Sequence, residues 1–372
     1  MRIGFDAKRA FSNGTGLGNY SRTTINALQR FAPENEYILY TSSTRNKHLY
    51  DPPAGIDIRL PSTLWSKQLK AYWRTYGISK QLPRDSVELY HGLSNEIPVG
   101  IEKSGVKSVV TIHDLIFMSL PKLYKPIDRR IYQKKTKHAI KNADRIIAIS
   151  GQTRDDLVTL LGADEQKIRV VFQGCNPWFY AKASDEEKTE LKNKYNLPGD
   201  FLLYVGTIEE RKNLLSVVRA LHESSIDIPL VAIGRKTPYF DKVEAYIQEN
   251  KLKNIHVLHE IKNTDLPGIY QQAMAFVYPS FYEGFGIPVL EALNSGIPVI
   301  TSRGGCLEET AGPGAHLVEA GNLEELAEGI RKVISDSKFQ QNLSEAGKKH
   351  ALNYREEKTI PQLLNVYEEC FQ

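Results

Sequence analysis

Tyr282-Glu283-Gly284-Phe285-Gly286-Ile287-Pro288-Val289-Leu290-Glu291-Ala292 begins four residues after the apolar run Ala275–Tyr278, with Pro279-Ser280 closing that run. Two closely spaced glycines permit a tight turn with exposed backbone N–H groups. Pro288 suits the first position of a helix, where its missing N–H is not needed. The stretch therefore reads as strand, glycine turn and helix. Glu283 falls in the turn, and Glu291 falls about one turn into the helix. The two carboxylates stand eight residues apart, at different depths along one wall. Carboxylates accept paired hydrogen bonds from vicinal hydroxyls, so the pair could grip two diols at once, as in a nucleotide sugar. An isolated E-x7-E would say little; this context makes it informative.

The same strand–helix rhythm runs through the whole chain. Short β-rich runs, such as Arg2–Phe5, Ser108–Ile112, Phe201–Val205 and Leu230–Ile233, alternate with amphipathic stretches such as Asn19–Arg30 and Asn213–His222. Such alternation implies βαβ units and parallel sheets. Continuous Val/Ile/Leu runs suit strands covered on both faces. The chain has 372 residues, with 41% apolar and 25% charged, which fits two globular domains and excludes collagen-like or wholly disordered chains. Gly and Pro interrupt the pattern at Gly174-Cys175-Asn176-Pro177-Trp178. The expected domains are 1–174, 175–354 and a terminal helix in 355–372.

The three cysteines lie far apart and lack metal-ligand spacing, so neither a disulfide framework nor a zinc site is expected. The opening Met-Arg-Ile-Gly-Phe-Asp reads as a strand rather than a signal peptide, and apolar runs fall well short of a membrane span. A cytoplasmic location is the expectation.

Ligands of doubly wound sheets sit beyond the carboxyl ends of the strands, which selects the loops to inspect. Gly14-Thr15-Gly16-Leu17-Gly18 follows the first strand, as either a phosphate-facing loop or a purely conformational turn. It is not the G-x-G-x-x-G fingerprint. His113-Asp114 leaves the strand ending in Ile112. His113 there is either a substrate hydrogen-bonding or proton-moving group, or a satisfied structural histidine. Gly206-Thr207 precedes Arg211-Lys212-Asn213 at a helix start, where cations, backbone N–H groups and the helix dipole suit a diphosphate. A solvated charge cluster is the alternative.

Glu283–Glu291, followed by Gly296-Ile297-Pro298-Val299-Ile300, resembles the E-x7-E signature of the group 1, family 4 retaining glycosyltransferases. Gly206-Thr207…Arg211-Lys212-Asn213-Leu214, the Gly14–Tyr20 loop, Thr111-Ile112-His113-Asp114 and Leu266…Tyr270…Ala273 also match that family, in order along nearly the whole chain. The resemblance implies the GT-B fold: two Rossmann-like doubly wound lobes facing across a cleft, with the C-terminal helix crossing back to the first lobe. It implies transfer of a sugar from a nucleotide-sugar donor to a hydroxyl with retained anomeric configuration.

By position it implies that Glu283 touches donor-sugar hydroxyls, Glu291 the ribose diol, and Arg211 and Lys212 the diphosphate. Gly284, Phe285 and Gly286 would face the donor through backbone N–H groups. Gly16 would border its phosphates, and His113 would contact the sugar near the reacting centre. His113 and Glu283 are thus the catalytic candidates, although binding is the stronger reading for Glu283. Many relatives carry Arg where this chain has Thr207, which throws more of the diphosphate onto Arg211 and Lys212. The family generally works without a divalent metal, and no Asp-x-Asp triplet occurs in the chain. No metal or cofactor is expected beyond the GDP- or UDP-linked substrate, with GDP-mannose the preferred donor. A GT-B-fold nucleotide-sugar epimerase and a non-catalytic nucleotide-sugar sensor are the alternatives.

The net charge of +4 conceals a split. Residues 1–180 carry 27 Lys/Arg and 16 Asp/Glu, a balance of +11; the remaining 21 and 28 give −7. Lys122–Arg145 holds nine Lys/Arg and two acids. Upstream, Trp65, Leu69, Tyr72 and Tyr76 stand at helical spacing beside Lys67, Lys70 and Arg74. A basic face beside an aromatic stripe can rest on an anionic membrane surface. A glycan or lipid-linked glycan acceptor and peripheral contact with the inner leaflet are therefore expected, with solvated helices and ordinary core packing as the plain alternative. Nucleic acid is disfavoured, since no binding motif accompanies the charge.

Overall fold

A computed structural model describes residues 1–44, 49–62 and 67–372. The chain divides into two compact units: Met1–Gln173 with Glu356–Gln372, and Gly174–Arg355.

The first unit holds β1 (Arg2–Asp6), β2 (Glu36–Tyr40), β3 (Asp57–Arg59), β4 (Leu89–Gly92), β5 (Lys107–Ile112), β6 (Arg145–Ala148) and β7 (Ile168–Val170) in the order β3-β2-β1-β4-β5-β6-β7. The second holds β8 (Leu202–Val205), β9 (Leu230–Ile233), β10 (Ile255–Leu258), β11 (Ala275–Tyr278), β12 (Val299–Ser302) and β13 (Ala315–Val318) in the order β10-β9-β8-β11-β12-β13. Every pair is parallel. In each sheet the chain works outward from a central first strand and then reverses, the doubly wound Rossmann order. Both faces of each sheet need cover, which is why Val109, Val110, Leu202 and Leu203 are all buried without alternation.

The terminal helix Glu356–Glu368 belongs to the first unit. Its Ile360, Leu363, Val366 and Tyr367 join the core formed by Phe5, Leu28, Leu89 and Val109. Tyr367 places its hydroxyl 2.7 Å from His91 Nδ1, and His91 Nε2 meets Thr111 Oγ1 at 2.8 Å. Glu369 pairs with Arg145 at 3.1 Å and Arg169 at 2.8 Å.

Three local readings change. The helix α1 (Gly16–Phe31) starts inside the glycine loop, so Gly16 and Gly18 are helical rather than loop residues. Of the aromatic stripe, Trp65 lies outside the described residues. Lys70–Tyr72 is a short helix that continues into a π-turn at Trp73–Gly77, so even α-helical spacing fails. Tyr72 and Tyr76 stay exposed with ring centroids 4.9 Å apart, but Arg74 turns inward to bond Asp6 at 2.5 Å and Glu96 at 3.0 Å. It adds nothing to a basic outer face. The helix α2 (Pro126–Asn142) carries most of the basic segment and leaves Ile127 and Ile131 exposed. Among the described residues, no helix is long and apolar enough to cross a membrane.

Candidate active site

In the second unit, two loops meet at the carboxyl ends of β8 and β11. Gly206 leaves β8 at φ 157°, and a Cβ there would press on Lys212 at 3.3 Å. The short 3-10 turn Glu210–Lys212 then brings two cations against the loop after β11, and α3 (Leu214–Glu223) follows. Asn213, at φ 61°, donates from Nδ2 to Pro279 O at 3.0 Å and ties the two loops together.

Glu283 lies at the centre. Its Oε2 stands 2.6 Å from Arg211 Nη1, and its Oε1 lies 3.8 Å from Lys212 Nζ. Tyr278 Oη donates to Oε1 at 2.8 Å and Ser280 Oγ at 3.1 Å. Lys212 Nζ donates in turn to Tyr278 Oη at 2.8 Å. Burial alone would raise the Glu283 carboxyl, but the charges of Lys212 and Arg211 outweigh it and hold the group below the usual carboxylate range. Glu283 is therefore an anion at neutral pH, fixed on both oxygens.

The two cations are not equivalent. Arg211 also bonds the carbonyl of Tyr282 and pairs with Glu209 at 2.6 Å, so two carboxylates share its charge. Lys212 has Tyr278 Oη and a longer approach to Glu283. It is the less fully neutralised of the two cations.

Gly286 starts the helix α4 (Ile287–Ser295) at φ 118°, a conformation that favours glycine, and a Cβ there would meet Leu307 at 3.0 Å. Pro288 takes the second helical position, and Glu291 is the fifth residue, beyond the first turn. Glu291 Oε2 accepts from Tyr270 Oη at 3.0 Å. Burial pushes its carboxyl up to about 7. The two signature carboxylates are thus kept in different protonation regimes. Gly284 lies in the turn, whereas the Phe285 side chain is buried, with its ring 5.6 Å from that of Tyr354. Thr310 Oγ1 donates to the Phe285 carbonyl at 2.8 Å.

In the first unit, His113 follows β5 and is buried. Its Nε2 meets the Leu93 carbonyl at 2.9 Å, which makes that nitrogen the protonated one. The Tyr20 ring stands edge-on at 4.6 Å. Burial pulls the imidazole down to about 4. The ring is neutral at pH 7, with Nδ1 left as an acceptor. Gly16 opens α1 with no atom within 4 Å of the position a Cβ would take. The N-cap Thr15 makes no side-chain capping bond.

Tyr278 and Ser280 escape sequence reasoning as site residues, whereas Tyr270 stands in the Leu266…Tyr270…Ala273 match to the family without a role assigned to it. Tyr278 reads as the end of an apolar strand and is indeed fully buried, as is Tyr270. A Tyr-Pro-Ser end to an apolar strand, just before an acidic glycine turn, is the signal that could have found the first two.

Two Rossmann-like sheets of seven and six strands, with a clamped glutamate at the carboxyl end of the second, define an α/β protein of GT-B type. The profile described as "Glycosyl transferases group 1" matches residues 185–350, and "Glycosyltransferase Family 4" matches residues 14–178. The chain belongs to the group 1, family 4 glycosyltransferases. It is 28% identical to O-antigen chain mannosyltransferase B of Escherichia coli over 75% of this chain and 74% of that protein. In fold it is similar to a glycosyltransferase from Rickettsia africae, at TM-score 0.79 and 18% identity over 100% and 98% of the two chains. It is also similar to Anabaena HepE in complex with UDP and glucose, at TM-score 0.75 and 14% identity over 99% of each.

Proposed function

We propose that the protein moves a mannosyl unit from a nucleotide-linked mannose to a hydroxyl of a glycan or lipid-linked glycan, with retention at the anomeric carbon. The observation that carries this is the clamp on Glu283: an ionised carboxylate fixed by Arg211, Lys212, Tyr278 and Ser280. Such a group can accept hydrogen bonds from sugar hydroxyls without reorganising. Lys212 and Arg211 meet the charge that builds on the departing diphosphate. Glu291 takes the ribose diol, Gly284, Phe285 and Gly286 line the donor, and Gly16 borders its phosphates. In the step, the anomeric C–O bond to phosphate breaks and a bond to the acceptor oxygen forms. The acceptor proton passes to the leaving phosphate, and no metal takes part. His113, as a neutral ring, hydrogen-bonds the sugar rather than supplying a proton.

Mannose is favoured because the Escherichia coli relative is an O-antigen chain mannosyltransferase. HepE binds UDP and glucose, so a UDP-linked donor is the competing choice. A screen of donor hydrolysis across GDP- and UDP-sugars tests this. GDP-mannose should turn over fastest; turnover confined to UDP-sugars would refute the mannose assignment, and no turnover at all would refute transfer.

We also propose peripheral contact with anionic membrane through α2, whose Arg129, Arg130, Lys134 and Lys137 flank exposed Ile127 and Ile131. Flotation with vesicles containing phosphatidylglycerol at low salt should recover the protein, and absence of binding would sink the idea.

A further inference from the structure

A charged cavity of the second unit is left without a role by the candidate donor site. It measures about 470 Å³, within the range of small-ligand sites. Three stretches of chain build it. Lys182 precedes the helix Asp185–Tyr195 and Lys188 belongs to it; Ser295 ends α4. Lys348 and Lys349 lie in the last turn of the helix Ser337–Ala351, with Arg355 just beyond. No residue given a donor role lines this cavity. Ser295 stands at the opposite end of α4 from Gly286, about 13 Å away along the helix.

Among the described residues, five cations and no carboxylate line the cavity. The cluster sits in the half of the chain that carries −7, so background composition does not account for it. Two of the five have local uses. Lys188 pairs with Asp185 at 3.7 Å. Lys348 lies across Gly296, where a Cβ would collide with its side chain, and so stands at the carbonyl end of α4. Lys182, Lys349 and Arg355 pair with no carboxylate among the described residues.

Two buried donors are also unspent. Arg355 Nε and Ser295 Oγ have no hydrogen-bond partner among the described residues. Such groups are rare in folded proteins, and each asks for a ligand, an ion or a water. The Arg355 guanidinium is held over the Tyr180 ring at 4.6 Å, by an aromatic face in place of an acid. Stacking fixes the planar fork without neutralising it, which suits arginine to a phosphate.

Three uncompensated cations, with Lys188 and Lys348 beside them, match an anion of two or more charges. A phosphate group supplies that charge and enough acceptor oxygens for several donors at once. We propose that this cavity binds a phosphate-bearing ligand, soluble or on a lipid headgroup, through Lys182, Lys349 and Arg355. The site is additional to the donor diphosphate at Arg211 and Lys212, and it does not rest on the transferase reading.

Hydrogen exchange of the full chain, with inorganic pyrophosphate against sodium chloride of equal ionic strength, tests this. Pyrophosphate should slow exchange across 178–183 and 345–355. Lys182→Gln/Lys349→Gln neutralises two exposed side chains, so the fold should hold. This double variant should raise the pyrophosphate concentration for half-protection about tenfold or more, as loss of a charge-assisted hydrogen bond requires. Protection at 206–213, where the donor diphosphate is proposed, should be the same in both proteins. Absence of protection there counts against the donor site and leaves this one standing. No protection at 345–355, or a shift of less than about threefold in the double variant, overturns the proposal. Arg355→Gln should act as the lysine pair does; if it fails to fold, the lysines carry the test. Flotation with vesicles of phosphatidic acid in phosphatidylcholine separates the two sources. Recovery that the double variant lowers assigns the phosphate to a lipid headgroup. Recovery that it leaves unchanged, beside pyrophosphate protection at 345–355, assigns it to a soluble phosphate.

Discussion

Lys212→Gln separates a diphosphate site from a merely structural ion cluster. Lys212 lies 3.8 Å from Glu283, while Arg211 approaches that carboxylate to 2.6 Å. Removing Lys212 therefore leaves Glu283 paired, and its Tyr278 and Ser280 hydrogen bonds are untouched. The fold should lose little. The ligand should lose more. A unit charge 4 Å from a phosphate is worth about 4 kcal/mol at an effective dielectric of 20. Partial neutralisation by Glu283 and the loss of ligand hydration reduce that toward the roughly 1.5–3 kcal/mol net of a charge-assisted hydrogen bond. At about 2 kcal/mol, GDP and UDP should each bind about thirtyfold more weakly. The factor should be similar for both, since the diphosphate is the part they share. Calorimetry on wild type and variant measures it, with thermal melts confirming the fold. Affinities within twofold of wild type for both nucleotides, in a normally folded variant, would refute the assignment of Lys212 to the diphosphate.

Two further outcomes concern pH. With its carboxyl pushed up to about 7, Glu291 is mostly protonated at pH 6 and ionised at pH 8. GDP affinity should rise over that interval as the diol acceptor ionises, and Glu291→Gln, in which phosphate titration is unchanged, should flatten the rise in calorimetry. Folding stability at this group runs the other way: the folded protein holds the proton more tightly, so its contribution is full at low pH and lost as pH rises through 7. His91 behaves oppositely. Fully buried between Tyr367 and Thr111, it is pulled down by burial to about 3. The unfolded chain therefore takes up the proton first, and stability is lost as pH falls from 6.5 toward 3, by about 1.4 kcal/mol per unit. Denaturant melts at pH 7 and 4.5 should show that loss, and His91→Asn should reduce the slope while lowering stability at pH 7.

Much of the fold was legible because buried parallel strands leave continuous apolar runs. Ile38–Tyr40 and Leu230–Ile233 could scarcely be read otherwise. Asp57–Arg59 was not legible: it is a three-residue edge strand, and an edge needs no apolar run. The extended site loop was legible because glycine, proline and acid occupy positions dictated by turn and helix geometry. Its support Tyr278 was hidden, since it obeys the core pattern while its hydroxyl serves Glu283, and Tyr270 stood out only through the family resemblance, with no sign that its hydroxyl serves Glu291. Arg74 misled for a related reason. Spacing on an ideal helix put it outward, but the π-turn at Trp73–Gly77 shifts the register and Asp6 supplies a buried partner. Long-range pairs such as His91–Tyr367 carry no local signature at all.

The assignment of Glu283 is tested most directly by turnover of GDP-mannose in Glu283→Gln. The amide keeps the shape and an acceptor for Tyr278 but loses the charge, so Lys212 and Arg211, the latter still paired with Glu209, keep more positive charge for the diphosphate. We expect turnover to fall at least a hundredfold, about 3 kcal/mol of transition-state stabilisation, while GDP affinity is retained or strengthened. Turnover within a few-fold of wild type in the folded variant would contradict the role given to this carboxylate.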